Sequence, residues 1–138
     1  MACIRSAFPA MLAVLAAAGG IARAQASGPL DDAALKAYAA QSFDPRAMMG
    51  RTVELGRHHG VPVVAEFPCS DVCPQYTVRI IHYRLPPDTD CAAAGGVERT
   101  VPVPVAIAST DATFCVPKVL AGGGYYRRAE LTPPRRRP

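Results

Sequence analysis

Apolar positions recur in two rhythms along this chain. From Leu35 through Tyr38 and Ala39 to Phe43 the spacing is three to four, which predicts an amphipathic helix from about Asp32 to Gln41 with Lys36 and Gln41 toward solvent. Asp31 and Asp32 stand at its start, where an oxygen acceptor and negative charge belong. Asp44 before Pro45 repeats that signature, and Gly50 ends it, so Pro45 to Met49 is expected to form one further turn over Met48 and Met49. From Arg51 onward the rhythm becomes two and β-branched residues dominate. Thr52 to Leu55, Val61 to Phe67, Tyr76 to Leu85, Val97 to Ile107 and Phe114 to Leu120 read as strands. The first two are expected to pair as a hairpin through the loop Gly56 to Gly60. Tyr76 to Leu85 is the strongest strand, and its apolar phase slips between Ile80 and Ile81, so it either bulges there or is covered on both faces. Pro102 and Pro104 are two apart, and their missing N–H groups point to the same side, which predicts an edge strand.

One helix followed by a run of strands implies an α+β fold: an N-terminal helix packed on a small, mainly antiparallel sheet of about four to five strands. An all-β fold with a loose N-terminal helix is the alternative. Ser109 to Asp111 reads as a turn, and Gly122 to Gly124 as the end of a single domain spanning residues 27-121. Residues 122-138, with Pro133, Pro134 and Arg135 to Arg137, read as a flexible tail that Tyr125 and Tyr126 tie to the body.

Residues 1-26 have the form of a cleavable export signal. Arg5 supplies the positive end, Ala7 to Ala18 the apolar run, and Ala24-Gln25-Ala26 the cleavage site. That run is shorter than the roughly 20 residues that cross a bilayer. The mature chain is therefore expected to begin at Ser27, in the periplasm or outside the cell. Arg5 and Arg23 leave with the signal and three more arginines sit in the tail, so the net charge of +4 does not describe a basic body suited to nucleic acid.

The mature chain keeps Cys69, Cys73, Cys91 and Cys115, an even number that predicts two disulfides in an oxidising compartment. Three pairings are open, with preference for the two local ones, Cys69 with Cys73 and Cys91 with Cys115. The segment Cys69-Ser70-Asp71-Val72-Cys73-Pro74 resembles the CxxxCP motif of the Sco/SenC copper chaperones, and the apolar strand before it resembles their context. That resemblance implies copper held by both cysteines and a distant histidine in a thioredoxin-like fold, with His82, His58 or His59 available here. It covers about eight residues; beyond them Tyr76 to Leu85 reads as strand where the family has a helix. Compartment and cysteine parity favour structural disulfides over a copper site at Cys69, Cys73 and His82.

Other candidate chemistry is thin. His58 and His59 fall in the expected loop, where paired histidines are usually solvated. Asp88-Thr89-Asp90 starts like a calcium loop but meets Ala92 and Ala93 where ligand and glycine are needed, and Gly122 to Gly124 lacks the residues of a phosphate loop. Glu66 and Asp71 flank the cysteines and read as surface charges, or as partners of His82 if that residue were a base. No nucleophile elbow or zinc-protease motif occurs. The sequence thus points to a small exported, disulfide-stapled, non-catalytic binding or envelope-associated module needing no cofactor, with a thiol-based copper or redox protein as the rival. The strand around Pro102 to Ile107 and the tyrosines Tyr125 and Tyr126 are the expected contact points for a partner.

Overall fold

The computed structural model describes residues 28–69, 76–105 and 108–131. The expected signal, Asp71, Cys73, Ile107 and the last residues of the tail lie outside the described residues. The chain is mostly sheet with few short helices. Helix α1 (Asp32–Ala39) is capped by Asp31, whose carboxylate accepts the Ala34 N–H at 2.7 Å, and α2 (Pro45–Met48) is capped by Asp44. Strands β1 (Thr52–His58), β2 (Val61–Glu66), β3 (Tyr76–Tyr83) and β6 (Tyr126–Glu130) form an antiparallel sheet in the order β1-β2-β3-β6. Among the described residues, strands β4 (Gly96–Val105) and β5 (Ala108–Pro117) pair only with each other, as a separate two-stranded ribbon.

The single sheet expected from the sequence is thus two. The physical reason lies partly in β4, where Pro102 and Pro104 deny a second neighbour its N–H donors. The strand is an edge, and instead of joining the sheet it lies over it. Val101 and Val103 pack on Val78 and Ile80 of β3, and the Tyr126 hydroxyl donates to the Pro102 carbonyl at 3.0 Å. On the opposite face, Val63, Ala65, Ile81 and Tyr83 pack against Leu35 and Ala39 of α1, closed off by Val116 and Leu120. The phase slip in β3 therefore reflects burial on both faces, because Val78 to Ile81 are all buried and its register with both neighbours is unbroken.

Three further boundaries move. β1 runs on to His58, so the five-residue loop shrinks to a two-residue turn, His59-Gly60, with both φ angles positive (51° and 78°), a type I′ hairpin. Ser109 to Asp111 lies inside β5, and Lys118–Leu120 is a 3-10 turn. Tyr126–Glu130, placed in the tail because Gly122 to Gly124 read as the end of the domain, is the edge strand beside β3; Arg128 there lies over the Tyr76 ring and bonds Glu130, so its charges are used at the surface.

Cys91 is joined to Cys115 across the turn that leads into β4. Gly96 lies against this bond: a Cβ there would collide with the Cys115 sulfur and come within 2.9 Å of the Cys91 sulfur. Replacing both cysteines by alanine should lower stability by about 3.5 kcal/mol on the chain-entropy scale. Gly96→Ala should destabilise the oxidised protein markedly and cost far less in the background lacking Cys91 and Cys115. Urea unfolding of the four proteins measures both effects, and an equal Gly96→Ala cost in both backgrounds would refute the steric assignment.

Candidate functional site

The histidine pair at the hairpin tip is built by one irregularity in β1. Val53 and Leu55 point to the core while Thr52 and Glu54 are exposed, an alternation that would leave His58 outside. A bulge between Glu54 and Gly56 inserts one residue and reverses the phase, so Gly56 and His58 face inward. Gly56, at φ 137°, is where the chain's first described segment crosses: a Cβ would collide with the Gly28 carbonyl oxygen. That crossing is pinned by Arg57 N–H to Gly28 at 2.9 Å and Leu30 N–H to Arg57 at 2.7 Å, and it delivers the first turn of α1 to the end of β1.

The result is a hydrogen-bonded chain. His58 is 4% exposed; its Nε2–H donates to Asp32 Oδ1 at 2.6 Å, and its Nδ1 shares a hydrogen bond with the Tyr83 hydroxyl at 2.7 Å. His59 stands beside them, its ring centroid 4.1 Å from that of His58 and its Nε2 4.0 Å from Asp32 Oδ1. Successive strand residues would face opposite ways; the left-handed backbone of His59 turns its ring to the same side. The His58 hydrogen bond, aided by the nearby charges of His58, His59 and Lys36 and partly opposed by desolvation, holds the Asp32 carboxyl below its ordinary 3.8. Burial raises the Tyr83 phenol, and the Asp32 charge adds to that. The arrangement fixes the orientation of an imidazole, and Asp32, His58 and His59 bring one donor atom each within 4.8 Å of the others, close enough for a metal ion.

The other sequence candidates fall elsewhere. His82 is half enclosed on the ribbon side of β3; its Nε2 is 2.8 Å from Glu66 Oε2 and its ring packs 4.9 Å from that of Phe114. Glu66 is therefore a partner and not merely a surface charge. Cys69 is disulfide-bonded and shares a small groove with Glu66 and Gly50, so as it stands it offers no thiolate to copper. Asp90 caps the Cys91 turn through the Ala93 N–H.

A second concavity, about 710 Å³, lies on the other side of the hairpin tip. It is lined by Val61, Pro62, Leu85, Pro86, Ala93 and Ala94, with Thr89 and the two arginines Arg57 and Arg84. No known protein family, curated protein or solved structure matches this chain. Among the described residues no helix is long and apolar enough to cross a membrane.

Sequence reasoning assigned Asp32 to helix capping and left Tyr83 in a core strand. The readable signal for their meeting was Gly56 three residues before a His-Gly pair, which marks a bulge and then a tight turn. Because the Asp32 carboxyl is depressed in the folded state, its contribution to stability is complete above its ordinary value and is lost as pH falls through the folded value. In metal-free buffer the stability gap between the native protein and Asp32→Asn should begin to narrow as pH falls toward the ordinary carboxyl value of 3.8 and go on closing in stronger acid. Urea unfolding over that fall in pH tests it, and a gap unchanged in acid would refute it.

Proposed function

We propose that this chain is a small exported, disulfide-stapled binding module without a catalytic role, and that its ligand is an amphipathic anion seated in the groove beside the hairpin tip. The groove carries this reading. Its volume is within the usual range for small-ligand sites, and its lining is apolar with two guanidinium groups at the rim. Arg84 uses one nitrogen on Glu54 at 3.0 Å and Arg57 one on the Gly60 carbonyl at 3.3 Å. Each keeps further N–H donors for a carboxylate or phosphate. The walls are also rigid for so small a protein. Pro62 pairs with Arg57 in the hairpin, the Arg84 N–H bonds the Pro62 carbonyl at 2.9 Å, and the Cys91–Cys115 bond anchors the turn that supplies Ala93 and Ala94. Export is supported by the charge, apolar run and small residues of 1-26.

Dodecyl phosphate below its micellar concentration is a suitable probe. One molecule per chain is expected by calorimetry, with binding weakened about 10-fold or more in Arg57→Gln/Arg84→Gln, as befits loss of a charge-assisted hydrogen bond. Dodecanol should bind no better to the native protein than dodecyl phosphate binds to the double variant. Equal affinity of the phosphate for both proteins would sink the groove as the site. Intact mass of the protein recovered from the periplasm or medium should correspond to a chain starting at Ser27; a retained leader would overturn the export reading.

A further inference from the structure

The hairpin-tip cluster supports a conclusion separate from the groove. We infer that Asp32, His58 and His59 form a binding site for a late first-row divalent metal ion, of the zinc or copper class. Two imidazoles and a carboxylate are the ligand types such ions prefer. A tetrahedral ion with bonds of about 2.0 to 2.2 Å needs its donors about 3.3 Å apart. The two separations from Asp32 Oδ1, 2.6 Å to His58 Nε2 and 4.0 Å to His59 Nε2, straddle that value. Small rotations of the exposed Asp32 and His59 side chains bring both to it, while buried His58 stays in place.

Two features go beyond proximity. The first is the group behind the ligand. When Nε2 of His58 binds a metal, its proton resides on Nδ1 and requires an acceptor there; the Tyr83 hydroxyl, 2.7 Å away, can accept as readily as donate. The second is the backbone of His59. The first position of a type I′ turn favours Asn, Asp or Gly, and His59 holds the left-handed backbone there at φ 51°, a region that residues with side chains enter uncommonly. The strained residue is the one whose ring completes the cluster, an association typical of binding sites. Exposure of His59 and Asp32 leaves the solvent side open, so a fourth position falls to water or to an exchangeable ligand.

Removing His58 would leave a hole in the core, so His59 is the residue to change. His59→Asn keeps a residue suited to the left-handed turn and removes the imidazole. Tag-free full-length protein, stripped with chelator and left oxidised, is titrated with zinc chloride and, separately, copper(II) chloride, with magnesium chloride as control. One zinc or copper ion per chain is expected, with magnesium silent. His59→Asn should weaken binding at least about 10-fold, and Tyr83→Phe should weaken it by a smaller factor. Chelator-treated His59→Asn should unfold at the same temperature as the native protein or higher, which separates loss of a ligand from loss of the fold. Cobalt(II) should give the visible absorption of a nitrogen- and oxygen-ligated ion in the native protein and not in His59→Asn. Absence of one-to-one binding, or zinc binding unchanged in His59→Asn, overturns the site. Dodecyl phosphate binding should be indifferent to chelator, so failure of the groove reading and failure of the metal reading are distinguishable.

Discussion

A charge taken out of water must recover its hydrogen bonds inside the protein, and in the middle of β3 that demand falls on Arg79, which is 1% exposed. Among the described residues it makes no ion pair. Its two terminal nitrogens donate instead to the Ala39 and Gln41 carbonyls at 2.8 Å, and its plane lies near the Tyr38 and Phe43 rings. The Ala39 acceptor is one of the unsatisfied carbonyls that a helix leaves at its C-terminal end, where the partial charge is negative, and Gln41 lies just beyond that end. Burial pulls the guanidinium below its ordinary value, and Arg127 on the neighbouring strand adds to that. The central strand and α1 thus meet each other's unmet needs. The price is visible in the Arg79 Nε and the Thr77 hydroxyl on the same face, neither of which has a hydrogen-bond partner among the described residues.

That pairing fixes the C-terminal end of α1, and the hairpin tip fixes the other. Asp32 reaches His58 because the segment before α1 crosses β1 at Gly56, the one position in that strand where the backbones can approach so closely. The helix is therefore held to the sheet at both ends by polar contacts, with Leu35 and Ala39 supplying the apolar contact between them. Eight residues form too few turns to be stable alone, so these tertiary contacts are what make the helix.

Much of the architecture was legible because it depends on period. The two-faced burial of β3 was written in its phase slip, and the edge character of β4 in Pro102 and Pro104. Asp44 before Pro45 announced α2 directly. What was not legible depended on a single residue's φ angle or on long-range pairing. The bulge at Gly56 inverted the facing of His58, and nothing in the alternation of Thr52 to Leu55 foretold it. β6 was hidden because YRRAE is charged along most of its length, and its right to be a strand comes from pairing with β3 some fifty residues earlier. The convergence of Asp32 and Tyr83 on His58 and the pairing of Glu66 with His82 likewise required the sheet to exist first.

The order of strands has a temporal consequence. β3 lies between β2, which precedes it, and β6, which is the last strand among the described residues, so one whole side of the central strand stays without its neighbour until residue 130 has been made. A ribosome or a secretion channel delivers the chain from its N-terminus, and closing so distant a pairing is slow. Before then β1, β2 and β3 can pair in order and the β4–β5 ribbon can close, but the second edge of β3 stays open. For that interval the unpaired edge of β3 is a template on which another strand could form in place of β6, so the wait for its last neighbour is when this sheet is most open to mispairing.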